Sequence, residues 1–275
     1  MTTKPLLRVG EFKTLANITS NSADSQLLTL IEAESEFVTA RCQRRFDPHV
    51  VTLRYTAAPT YRGGNVSSSN RRVLLLDYDV QKLISVTNGD SAQTAIALAD
   101  VELDKTLRTL RLLSDTLIWQ SDVADGKFIE VKAECGYGYR FENKGKTLSA
   151  ALNNTATTFQ SAGAFERGQL VKIDDEFLYI TAVNAPTYTV ERGANGTTAA
   201  AHANGAAILE FDAHPSIKDY VKRGVQLRLS QTGAVVIGTN AAGDPILQSI
   251  GSARAALVQS LALEGLVDLK GFGGV

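Results

Sequence analysis

The chain has 275 residues, 44% hydrophobic and 21% charged, with 28 basic and 29 acidic side chains. This is the composition of an ordinary globular protein and excludes wholesale disorder; the length suits one compact body carrying an inserted module. No run of about 18 apolar residues is present, and charge is evenly spread, with 17 of each sign in residues 1–140, so a basic block gripping nucleic acid is excluded.

The opening MTTKPLLRVGEF lacks the long apolar core of a secretory signal, so synthesis in a reducing cytosol is expected. Cys42 and Cys135 fit no zinc or redox spacing and are expected to be buried thiols. The first strong element is a helix over 22–46. At 100° per residue, Leu27, Leu30, Ile31, Phe37, Val38 and Cys42 share one side. Ser22 or Asp24 is the expected N-cap, and Pro48 the stop. Glu34, Arg41 and Arg45 interrupt the apolar side. They either reach past a small core to water, or form a contact face against another subunit.

A β-rich stretch follows. Strands are predicted at His49–Ala57, Arg71–Asp77, Lys82–Asn88, Leu107–Leu113 and Phe128–Cys135, from β-branched and aromatic runs bounded by turn residues. In the last of these, Glu130, Lys132 and Glu134 share one wet face. Residues 61–70 read as a flexible loop, and Asn88-Gly89 as a turn. Residues 139–212 then change texture. Five strands are predicted there: Thr155–Gln160, Gln169–Asp174, Glu176–Asn184, Thr187–Arg192 and Ala206–Phe211. They make a small all-β module, a barrel or a sandwich. A helix opens at Pro215, a residue suited to the first helical position, and a further helix is expected over 253–263.

The chemistry-bearing patterns are few. His49, His202 and His214 pair with no other His or Cys at ligand spacing. Asp174-Asp175-Glu176 lacks the rest of a calcium loop and reads as a solvated hairpin tip. There is no nucleophile elbow, phosphate loop or dinucleotide fingerprint. Cys135–Phe141 partly imitates the aromatic strand of an RNA-recognition domain, but its context reads instead as a strand end turning on Gly136 and Gly138. The expectation is a protein that is not an enzyme and uses no cofactor or metal.

The helix carries LLTLIEAESEFVTARCQRRF, with Leu27, Leu28, Leu30, Ile31, Glu32, Ala33, Ser35, Phe37, Val38, Cys42, Arg45 and Phe46. VLLLDYDVQKLISVTN (73–88), the strand ending in Gly136-Tyr137-Gly138, and Pro215, Ile217 and Lys218 follow in order. This series of segments resembles the head–tail connector (adaptor) proteins of tailed bacteriophages. In the simplest members the proline follows Gly-Tyr-Gly within a few residues, whereas here about 75 intervene. The resemblance covers 22–138 and 214–230 and implies an α+β fold. Residues 1–138 and 213–275 would form a connector core of helices and antiparallel sheet with a C-terminal helix, and 139–212 an insertion.

What the resemblance implies is mechanical. Adaptors form a ring, typically of about twelve subunits, through head-to-tail contacts. The ring joins the portal protein to stopper or tail proteins at the neck of the virion and extends the channel through which genomic DNA passes. On this reading Glu34, Arg41 and Arg45 lie in the subunit contact, and Leu257, Leu261, Leu266 and Phe272 reach the portal. Two other readings stay open: a stopper or tail-completion protein, and a glycan- or host-binding β module.

Overall fold

The computed structural model describes residues 3–58, 65–67, 71–229, 234–239, 245–249, 255–257 and 259. Helices and antiparallel sheets occupy separate runs of chain, an α+β fold. Contacts divide the chain into residues 1–47 with 138–275, and residues 48–137. The sequence reading grouped 1–138 with 213–275. The contact boundaries instead set the helices with residues 139–212, to which Glu32, Arg8 and Lys218 are bonded through Tyr179, Glu210 and Asp212.

In the first unit, α1 (Val9–Ala16) was not expected from the sequence. It is short, and only Val9 and Phe12 are buried, too few to mark a period. The Glu11 carboxylate accepts from the Arg8 N–H at its start (3.4 Å), which satisfies an open helix donor. α2 (Asp24–Cys42) is the helix expected over 22–46, shortened at both ends. Its N-cap is Ala23, with no side-chain cap, rather than Ser22 or Asp24. Gln43 takes a left-handed conformation and ends it before Pro48 is reached. Its buried residues are Leu27, Leu28, Ile31, Glu34, Ser35, Val38 and Cys42, so Leu28 replaces Leu30 and Phe37 in the core. α3 (Pro215–Leu229) begins at the expected proline and packs along α2. Gly224 allows the close approach: a Cβ there would lie 2.3 Å from Glu34 Oε2.

The strands of residues 140–212 form one antiparallel sheet. They are β8 (Arg140–Thr147), β9 (Thr158–Gln160), β10 (Leu170–Ile173), β11 (Glu176–Asn184), β12 (Thr187–Glu191) and β13 (Ala207–Asp212). Their order is β8-β13-β10-β11-β12-β9. The two end strands meet: Ser149 N–H donates to Gln160 O (2.8 Å) and Ser161 Oγ to Thr147 O (2.7 Å). These bonds join the end strands at Thr147–Ser149 and Gln160–Ser161, so the sheet curls into a six-stranded barrel. Phe159, Val171, Ile173, Leu178, Ile180, Tyr188, Val190 and Ile208 fill the interior, with Leu148, Leu152 and Phe165 from the connections. On β11 the outward residues are covered too. Phe177 stacks on Phe141 (5.5 Å between centroids), and Tyr179 donates to Glu32 of α2 (2.9 Å). A strand covered on both faces reads as a continuous apolar run, and EFLYI does so.

Residues 48–137 hold two sheets. β1 (His49–Tyr55), β3 (Val80–Thr87), β4 (Ala95–Ile96) and β7 (Ile129–Cys135) lie in the order β1-β7-β3-β4. β2 (Val73–Leu75), β5 (Val101–Asp104) and β6 (Thr109–Leu112) lie in the order β2-β6-β5. Leu53, Tyr55, Leu74, Leu110, Leu112, Trp119, Ile129 and Val131 belong to one shared core. Of the wet face expected on β7, Lys132 is exposed but Glu134 is buried. Asn88-Gly89, expected as a turn, opens the connection from β3 to β4. The Asn88 amide donates to Ile118 O (3.1 Å) and accepts from Gln120 N–H (2.9 Å). At Gly89 a Cβ would lie 2.6 Å from the Phe128 carbonyl carbon. Of the loop expected over 61–70, Val66 is buried and bridges to Leu74.

β14 (Ala234–Thr239) and β15 (Pro245–Ser249) form a separate two-stranded sheet. Of the helix expected over 253–263, the described residues 255–257 and 259 are helical.

Candidate subunit interface and buried charge clusters

The three residues expected in a contact face are separated. Glu34 is 0% exposed and receives a hydrogen bond from Arg228 of α3, so its charge is matched within the chain. α3 packs along this part of α2, and the carboxylate is shielded from water. Arg45 holds Asp47 in a two-pronged pair (Nε–Oδ1 3.0 Å, Nη2–Oδ2 2.6 Å). Asp47 is buried and also accepts from the Lys4 N–H and from Asn195 Nδ2. Arg41 is exposed. Of the expected portal contacts, Leu257 is 6% exposed and therefore already covered within the chain. Leu261, Leu266 and Phe272 lie outside the described residues.

The hairpin tip Asp174-Asp175-Glu176 is solvated only in part. The Asp174 side chain is 68% exposed, but Glu176 is 1% exposed and sits at one barrel mouth. Arg192, at the end of β12, grips both its oxygens (2.7 and 2.8 Å). The N–H groups of Gly193 and Ala200 each donate at 2.9 Å. His202 lies between two carboxylates, Nε2 at 2.9 Å from Glu176 and Nδ1 at 2.7 Å from Asp174. Burial alone would raise the Glu176 pKa, but Arg192, the two backbone donors and His202 hold it at about 2. Arg192 also donates to the carbonyls of Asn153, Ala156 and Ala200. The cluster thus ties loop 193–205 across the mouth.

Toward the other mouth, Glu210 is buried beside three cations. Arg8 Nη1 lies at 2.7 Å, Lys144 Nζ at 3.1 Å, and Lys146 is also paired with it. Burial opposes ionisation, yet Lys146 and Lys144 keep the carboxyl below its usual range. The network runs on through Arg140, Asp212 (2.9 Å), Lys218 (2.7 Å) and Glu11 (3.0 Å), joining α1, β8, β13 and α3. Both clusters escaped the sequence reading. Glu176 and Arg192 are 16 residues apart, and Arg8 and Glu210 are 202 apart, so no local spacing marks them.

The barrel's aromatic residues bear on ligand binding. Phe159, Phe165, Phe177, Tyr188 and Phe211 are buried, and the Tyr179 hydroxyl is bonded to α2. Among the described residues, ten large apolar side chains are exposed, and seven of them fall in 48–137: Leu75, Tyr78, Ile84, Leu98, Leu107, Leu113 and Val123. Apolar exposure is therefore concentrated in that unit rather than on the barrel. Among the described residues, no helix is long and apolar enough to cross a membrane, and no group of three or more His, Cys, Asp or Glu is arranged to hold a metal ion. Compared with known protein families and with curated proteins, the sequence matches none.

Proposed function

We propose that the chain is a structural protein of a tailed-phage virion, a head–tail connector whose copies form a ring between portal and tail. The observation that carries this reading is where the barrel enters and leaves. Arg140 at the start of β8 lies opposite Asp212 at the end of β13, and the backbone of Gly138 sits against His214, a Cβ there lying 3.2 Å from the ring. The last glycine of Gly-Tyr-Gly and Pro215 are thus neighbours through one residue, although about 75 positions part them in sequence. That supports residues 139–212 as an insertion between the two segments that adjoin in simpler connectors. The even charge supports a channel that does not grip DNA. The buried aromatics disfavour the glycan-binding alternative, which needs rings at the surface.

Native mass spectrometry of the purified chain, alone and with portal assemblies, tests the reading. The expected result is a closed oligomer, or a ring retained on the portal. A monomer that binds no portal at any concentration contradicts it.

A further inference from the structure

Among the described residues, two stretches combine length with an open strand side, and they differ in kind. The first is the β14–β15 hairpin, a two-stranded sheet with no third strand. Two strands alone are marginal in water, since each leaves a row of N–H and C=O groups open. Its sequences, AVVIGT and PILQS, hold no charged residue, the usual protection against edge pairing. The second is β1, which ends the sheet β1-β7-β3-β4. Its seven residues pair with β7 in unbroken register on one side. The end strands of the other open sheets are shorter: β4 has two residues, β2 three and β5 four. Only β1 matches the six and five residues of the hairpin strands.

We propose that the β14–β15 hairpin of one copy adds to the β1 edge of a second copy and extends that copy's sheet. Donor and acceptor are different surfaces, so the contact is head-to-tail and leaves each bound copy with one unused donor or acceptor. Such a contact propagates until rotation closes it. The closure, though not the pairing, rests on the ring reading above.

Mixing two single-cysteine variants tests the pairing, because any disulfide then joins separate copies. Thr52→Cys lies on the exposed side of β1, and Val235→Cys and Gln248→Cys sample the two hairpin strands. The native thiols compete poorly: both are buried, and burial pushes Cys42 up to about 11 and Cys135 up to about 12. Thr52→Cys mixed with one hairpin variant is expected to give a covalent dimer upon mild oxidation, at least tenfold above a mixture with Ser20→Cys. Equal yields overturn the proposal. A second variant replaces 234–249 by a Gly-Ser linker and is expected to be monomeric with an unchanged melting profile for the rest. If it still forms rings, the hairpin pairing falls and the ring reading stands. If the full chain never assembles, both fall.

Discussion

The two mouths of the barrel each bury one glutamate, and they hold it with different materials. Glu176 is met by Arg192, the backbone N–H groups of Gly193 and Ala200, and His202, all from β12 and the loop after it. Those donors are fixed by the fold, so they cost little ordering when the charge is buried. Glu210 is met by the long side chains of Arg8, Lys144 and Lys146, and Lys144 stays 37% exposed. One end seals the barrel with its own chain. The other couples the barrel to α1 and, through Asp212 and Lys218, to α3. A buried carboxylate can therefore fix a shape or link two elements, depending on whether its donors are backbone or flexible cations.

That contrast can be broken by removing one charge at a time. The largest effect is expected for Glu176→Gln, which leaves Arg192 buried without its anion; a loss of about 3–5 kcal/mol should appear in urea unfolding. Acid should act on the same group. Its folded-state pKa of about 2 lies below the ordinary 4.5, so its contribution is complete above pH 4.5 and is lost as pH falls toward 2. That contribution is on the order of 3 kcal/mol. The melting temperatures of the wild type and Glu176→Gln should converge over this interval and differ steadily above it. Glu210→Gln should cost less, about 1–2 kcal/mol, because its cations can turn to water. About 1 M salt should shrink that loss and spare the one at Glu176, a comparison read from paired denaturation curves. Smallest of all, Lys144→Met should change stability by no more than about 0.5 kcal/mol in the same measurement. A Lys144→Met loss equal to that of Glu176→Gln would erase the distinction between the two ends.

The sequence made the barrel strands legible where apolar runs met turn residues. β11 coincides with the expected Glu176–Asn184, and β10, β12 and β13 agree within a residue or two. β8 was missed because RFENKGKT is polar, its pairing partner β13 lying over 60 residues on. β5 was missed because VELD carries acids on its outward positions. α1 offers only two buried positions, too few to show a helical period. The charge clusters were illegible for a different reason: their members come from distant segments, and ion pairing has no sequence period. Glu34 shows this best. On a helical wheel it breaks an apolar side, and only the packing of Gly224 and Arg228 reveals why it can stay there.

Electron microscopy of virions, with a compact tag inserted at the exposed Gly205 turn of the barrel, tests the functional account most directly. Added density encircling the neck, between capsid and tail, is the predicted result. Density along the tail shaft, at its tip, on the capsid shell, or absent from particles altogether would contradict it.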